Sequence, residues 1–209
     1  MTAEPQIAIA EKSLAGTFLE PEAQARADCY ALVAALLRRV PGEALVAHLA
    51  GIDVADVGDE FSRALMALRL AAREVSQTEI DDEYHYLFVG LGRGELVPYA
   101  SWYLTGFLVE KPLGELRHDL RLLGFDRQAG VNEPEDHIAA LCEVMSMLIT
   151  DGEADLTQQR SFFDKHVGCW ADRFFADLEH TDAAVFFRAV ARLGTAFMAL
   201  EQRYLTQET

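Results

Sequence analysis

The spacing of the apolar residues constrains this chain most. Over residues 134–150, Ile138, Leu141, Cys142, Met145, Leu148 and Ile149 recur at intervals of one, three and four, which places them on one stripe of an α-helix. The same period runs through Ala25, Cys29, Leu32, Leu36 and Val40 in residues 22–39 and beyond, and through Phe61, Leu65, Leu68 and Ala72 in residues 59–75. Pro41 and Gly42 close the first of these, because proline lacks the amide that a helix interior needs. A shorter helix is predicted from there to Gly51, and Thr78 followed by Asp81 predicts the cap of another ending near Phe88. Further helices are predicted over 112–123, stopped by Gly124, and over 156–166, 171–179 and 182–204. Nowhere do β-branched residues alternate with polar ones between turn signals, so a sheet has little support. The predicted fold class is all-α, a single-domain helical bundle over residues 1–209. Residues 1–20 are expected to be short helical or loosely packed, and two irregular connections are expected near 89–106 and 126–132.

Composition sets which partners such a bundle can have. With 209 residues, 51% of them hydrophobic, the chain can bury a core without disulfide or metal staples. Eighteen Lys and Arg against 34 Asp and Glu give a net charge of -16. That surface repels phosphate, so nucleic acid is excluded as a partner and a cationic one is favoured. Cys29, Cys142 and Cys169 lie far apart with no C-x-x-C pair, which fits a reducing cytoplasm and no disulfide framework. No apolar stretch is long enough to cross a bilayer, so integral membrane association is not expected. The adjacent Arg38 and Arg39 lie far from the start and form no export signal.

Catalytic patterns are absent from the sequence. There is no H-E-x-x-H, G-x-S-x-G or phosphate-loop motif, and His166 with Cys169 would supply two metal ligands where a site needs more. Gly90, Gly92 and Gly94 resemble a phosphate-cradling loop, but a dinucleotide fingerprint follows a strand and this one follows a predicted helix. Their simpler role is to let the backbone turn after Phe88. No catalytic, metal or cofactor residues are assigned.

Two clusters remain. The first runs from Tyr84, His85, Tyr86, Leu87 and Phe88 through the glycines to Pro98, Tyr99, Ser101, Trp102 and Tyr103, with aromatic rings on both sides of an irregular loop. Rings with polar tips suit a binding surface, and for Tyr86 and Trp102 core packing explains the pattern equally well. The second is Glu133, Pro134, Glu135, Asp136 and His137, at the predicted start of the most regular helix. Carboxylates and proline there suit a helix N-terminus. Counting 100° per residue from Pro134 turns Asp136 outward, away from the apolar stripe, and puts His137 on its flank beside Val144; spacing alone suits Asp136 equally to capping and to ligand contact, and favours a structural role for His137.

Together, YHYLF at 84–88, GRGELVPYASWY at 92–103 and EPEDHIAAL at 133–141 resemble, in sequence and order, the signature segments of the TorD, DmsD and NarJ chaperones. The resemblance extends over nearly the whole chain. It implies an all-helical cytoplasmic protein, not an enzyme, that binds the twin-arginine leader and the apo catalytic subunit of a molybdopterin oxidoreductase. Such a chaperone assists cofactor insertion and prevents premature export. Carried over by motif, Tyr84, Leu87, Phe88, Pro98, Tyr99, Tyr103, Glu133, Pro134, Asp136 and His137 would form the leader-binding surface. The family also implies weak binding of guanine nucleotide, and a monomer or domain-swapped homodimer. Where the family often has two prolines before the aromatic residue, this chain has Val97 and Pro98. The alternatives are an assembly chaperone of the NarJ type for a membrane-bound nitrate reductase, and a small all-helical hydrolase using Asp136 and His137 as an acid/base pair.

Overall fold

The computed structural model describes residues 7–9, 19–55, 57–90, 94–127, 133–151 and 154–207. Among these, the helical spacing becomes ten α-helices and one short pairing of strands. In chain order they are β1 (Ile7–Ile9), α1 (Pro21–Leu37), α2 (Glu43–Gly51), α3 (Glu60–Glu74), α4 (Gln77–Tyr84), α5 (Ala100–Thr105) and α6 (Lys111–Leu122), followed by β2 (Phe125–Arg127), α7 (Ile138–Thr150), α8 (Leu156–Phe162), α9 (Ala171–His180) and α10 (Phe186–Gln207). Helices α4 and α8 each continue into one π-helical turn, His85–Val89 and Phe163–Val167. Such a turn shifts the phase of the side chains that follow.

Local chemistry explains the helix ends. Asp59 accepts the Ser62 amide at 2.7 Å and starts α3. Helix α4 opens with a capping box in which Ser76 and Glu79 serve each other's backbone amides, two residues before the predicted cap. The Ser76 hydroxyl and amide hold the Glu79 carboxyl below its ordinary range. Gly124, at φ +81°, stops α6 in a backbone conformation that disfavours a side chain.

Four expectations are corrected. The stretch 89–106 contains α5, whose six residues are too few to show a period. Part of the connection near 126–132 is β2, which pairs antiparallel with β1 in the register Ile7↔Arg127, Ala8↔Asp126 and Ile9↔Phe125; residues 128–132 lie outside the described set. Three residues a side, far apart in sequence, leave no alternation to read. Helix α7 begins at Ile138 rather than at 134. In α1 the buried face is Ala27, Tyr30, Val33, Ala34, Leu36 and Leu37; of the expected stripe only Leu36 is buried, with Ala25 exposed and Cys29 and Leu32 half-buried. Apolar residues on most sides of that helix leave the choice of face to its neighbours.

The chain divides into two compact units. The first comprises Met1–Ala34, Tyr99–Trp170 and Leu205–Thr209. At its centre is α7, where the whole predicted stripe is buried together with Ala139, Ala140 and Val144, so the helix is enclosed beyond a single face. The Ser146 hydroxyl donates to the Ala27 carbonyl at 3.0 Å, and the buried Arg26 guanidinium donates to Gln159 at 3.1 Å. The second unit comprises Ala35–Pro98 and Ala171–Tyr204. Its core is aromatic, with Phe174, Phe175, Phe186, Phe187 and Phe197 all buried. Gly194 is required there, since a Cβ would lie 2.2 Å from the Phe175 ring. No helix among the described residues is long and apolar enough to cross a membrane.

Candidate functional site

In the first unit, the segments around 99–103 and 133–137 are built into each other. Tyr99 and His137 form an antiparallel bridge, and the Ala100 amide donates to the Asp136 carbonyl at 2.9 Å. Asp136 Oδ2 then accepts the Ser101 amide at 2.8 Å and, by a shorter bond, the Ser101 hydroxyl. Tyr99 supplies no side-chain cap to α5, so the orphan Ser101 amide of that helix is met by a carboxylate 35 residues further along the chain. The Tyr99 hydroxyl donates to Glu133 Oε1 at 3.0 Å, and its ring meets that of His137 edge-on with centroids 5.0 Å apart. His137 Nδ1 accepts the Ala139 amide at 3.1 Å and caps α7. Glu135 takes two hydrogen bonds from Arg117, at 3.0 and 2.8 Å.

This geometry corrects the outward orientation expected of Asp136. The residue is 1% exposed. Counting helical turns from Pro134 misplaced it because residues 133–137 are a non-helical approach to α7. His137 and Glu135 are buried as well, whereas Glu133 keeps 38% of its side chain exposed, and Pro134, Tyr99 and Tyr103 are half-buried. The Tyr103 ring lies 5.4 Å from that of Trp170. Asp136 and His137 each hold a helix start, which is no arrangement for a general acid/base pair. No sequence signal gives Ser101 or Arg117 a role, because the partner of each is remote in sequence.

The second unit holds the other predicted residues. Tyr84 is buried, its hydroxyl donating to the Leu37 carbonyl at 3.3 Å and its ring packing on Phe88 and Phe187 at 5.0 and 5.8 Å. Leu87 and Pro98 are buried and Phe88 is half-buried. The Leu96 amide donates to the Leu87 carbonyl at 2.8 Å. Gly94 lies so close to this turn that a Cβ would be 2.5 Å from the Phe88 carbonyl carbon. Gly90, at φ +56°, makes the turn after Phe88 expected of it, and Gly92 lies outside the described residues. In the YHYLF segment the exposed aromatic is Tyr86, at 61%. No local pattern marks Glu83, whose carboxylate accepts the amides of Val185, Phe186 and Phe187 at 2.8, 3.0 and 2.8 Å and caps α10.

His166 and Cys169 share no metal site. His166 Nε2 and Lys165 Nζ both meet Asp119 Oδ2, at 2.7 and 2.6 Å, while the Cys169 thiol donates to the Lys165 carbonyl. Partial burial works against the charge on Asp119, but hydrogen bonds from Lys165 and His166 outweigh it and lower its pKa. Burial lowers that of His166, against the opposing pull of Asp119. Among the described residues no cluster of His, Cys, Asp and Glu could hold a metal ion.

Comparison with known proteins places the chain in a family. The sequence profile of the nitrate reductase delta subunit family matches residues 55–176. The chain is 30% identical to the chaperone protein TorD of Aliivibrio fischeri over 65% of its own length and 68% of that protein. It is 25% identical to the TorD of Photobacterium profundum over 88% of its length and 95% of that protein. In structure it is similar to an Archaeoglobus fulgidus protein titled for redox enzyme maturation, at a TM-score of 0.55 and 17% identity, over 90% of this chain and 99% of that one. That likeness bears on the fold alone. With more than half of its length matched by the family profile, this chain belongs to the TorD/NarJ family of chaperones.

Proposed function

We propose that the protein binds the twin-arginine leader and the apo catalytic subunit of a molybdopterin oxidoreductase, holding that subunit back from export until its cofactor is in place. One observation carries the reading. The EPEDH and YASWY segments form one hydrogen-bonded framework in which the buried Asp136, His137 and Glu135 do structural work. That leaves Glu133, held by the Tyr99 hydroxyl, as the accessible carboxylate beside half-buried aromatic rings. A fixed, partly exposed carboxylate is suited to a guanidinium, and the charge of -16 steers a cationic peptide toward it.

Magnitudes show that charge is not enough. Micromolar affinity is about 8 kcal/mol, and ordering a disordered leader costs about 2 to 5, so the gross attraction must exceed roughly 10. Two charge-assisted hydrogen bonds at about 1.5 to 3 kcal/mol each fall short, which leaves a few hundred Å² of apolar contact at about 25 cal/mol/Å² to supply the rest.

The test is calorimetric titration of the full chain with a twin-arginine leader peptide at two salt concentrations. Glu133→Gln should weaken binding and flatten its salt dependence, because the carboxylate is lost while the Tyr99 hydroxyl keeps an acceptor. Unchanged affinity and salt dependence would remove Glu133 from the site. A second reading, assembly of a membrane-bound nitrate reductase, is favoured by the profile that matches residues 55–176. It would appear as binding to the catalytic subunit without need of the arginine pair.

A further inference from the structure

In the first unit, residues 104–109 leave apolar side chains in water. Leu104, Phe107, Leu108 and Val109 are 41%, 69%, 48% and 63% exposed. Four large apolar residues so close together are more than the scattered singles normal on a surface. Their exposure is built in rather than incidental. The Thr105 hydroxyl donates to the Ser101 carbonyl at 2.8 Å and lies 3.3 Å from both the amide nitrogen and the carbonyl oxygen of Phe107. Gly106, at φ +82°, ends α5, and its amide donates to the Trp102 carbonyl at 2.8 Å.

Backbone strain at the same place is a second, independent observation. Val109 sits at φ +61°, alone among the described non-glycine residues in adopting positive φ. A β-branched side chain is costly there, and such strain gathers where a segment is held for recognition. Ser101, from which Thr105 hangs, is the residue that Asp136 caps. The signature framework thus fixes the base of the exposed apolar segment.

We infer that residues 104–109 are the seat for the apolar stretch that follows the arginine pair in the client's leader, an assignment that rests on the function proposed above. Charge selects this occupant over a second copy of the chain. Two chains carrying -16 each repel; the apolar run passes into the exposed Glu110, the Lys111 that follows is paired with Glu115 at 3.2 Å, and Glu133 is half-exposed in the same unit. An apolar segment that carries cations at one end complements both features. The segment also supplies the apolar contact that the two charge-assisted hydrogen bonds leave missing.

The experiment titrates the full chain with two synthetic peptides. One is the leader of a twin-arginine molybdoenzyme subunit from the same genome; the other keeps both arginines and has serine throughout the apolar stretch. The wild type should bind the serine peptide roughly tenfold more weakly or worse. A Phe107→Ser, Leu108→Ser double variant should lose that discrimination and bind both peptides equally weakly, with its circular dichroism unchanged because the altered residues face water. Retained discrimination in the double variant would overturn the assignment while leaving the proposed function intact. Failure of the wild type to bind either peptide would defeat both. Self-association of the wild type that vanishes in the double variant would give the segment to a second copy and likewise overturn the inference.

Discussion

Replacing Asp136 by alanine should destabilise the fold rather than merely weaken a charge-steered association. The carboxylate accepts the Ser101 amide and hydroxyl through Oδ2, in a setting where the residue is 1% exposed. Two hydrogen bonds to a charged acceptor contribute about 1.5 to 3 kcal/mol each, roughly 3 to 6 together. Against this, Oδ1 is buried with no hydrogen-bond partner, a cost of about 1 to 3 kcal/mol that alanine would relieve. The net loss should be about 2 to 3 kcal/mol, slightly above the usual value of a side-chain cap. Asp136→Asn, which keeps an acceptor for the Ser101 amide, should lose about half as much. Urea unfolding followed by circular dichroism measures both, with the denaturant slope checked for constancy. Amide exchange at Ala100 and Ser101 should quicken in step. A loss below about 0.5 kcal/mol in the alanine variant, with unchanged exchange at those amides, would refute the capping role.

Other predictions follow from the same contacts. Glu83→Ala strands the amides of Val185, Phe186 and Phe187 and should cost about 2 kcal/mol, with faster amide exchange at those three positions; unaltered exchange would show that the cap is dispensable. Gly94→Ala pushes a methyl group against the backbone of Leu87 and Phe88 and should lower the melting temperature by several degrees, about 1 to 3 kcal/mol of overpacking. A variant as stable as the wild type would mean that this turn yields freely. Stability should fall with acid in two windows. His166 has its pKa lowered by burial, so the unfolded chain binds more protons as the pH drops through and below 6.5, and stability present above that value is lost toward the folded pKa. Asp119 has its pKa lowered by Lys165 and His166, so its contribution is present above 3.8 and is lost as the pH falls through its folded value. His166→Gln should flatten the first window in urea titrations at stepped pH; a slope equal to the wild type's would assign it to other groups.

Helical class, the position of most helices and the three signature segments were legible from the chain alone. A period of 3.6 residues and a proline or glycine stop are local properties, and α3, α6 and the buried stripe of α7 lie within a few residues of their predicted places. Tertiary structure decided whatever needed a remote partner. Helix α5 starts where Asp136 meets Ser101, and α10 starts where Glu83 gathers three amides from 102 to 104 residues away. Strand β2 exists through its pairing with Ile7–Ile9. The same non-locality turned Asp136 from an outward charge into a buried cap and left Glu133 at the surface. Side-chain pattern reports which way a segment prefers to coil, but which polar group ends buried depends on the donors that distant parts of the chain bring to it.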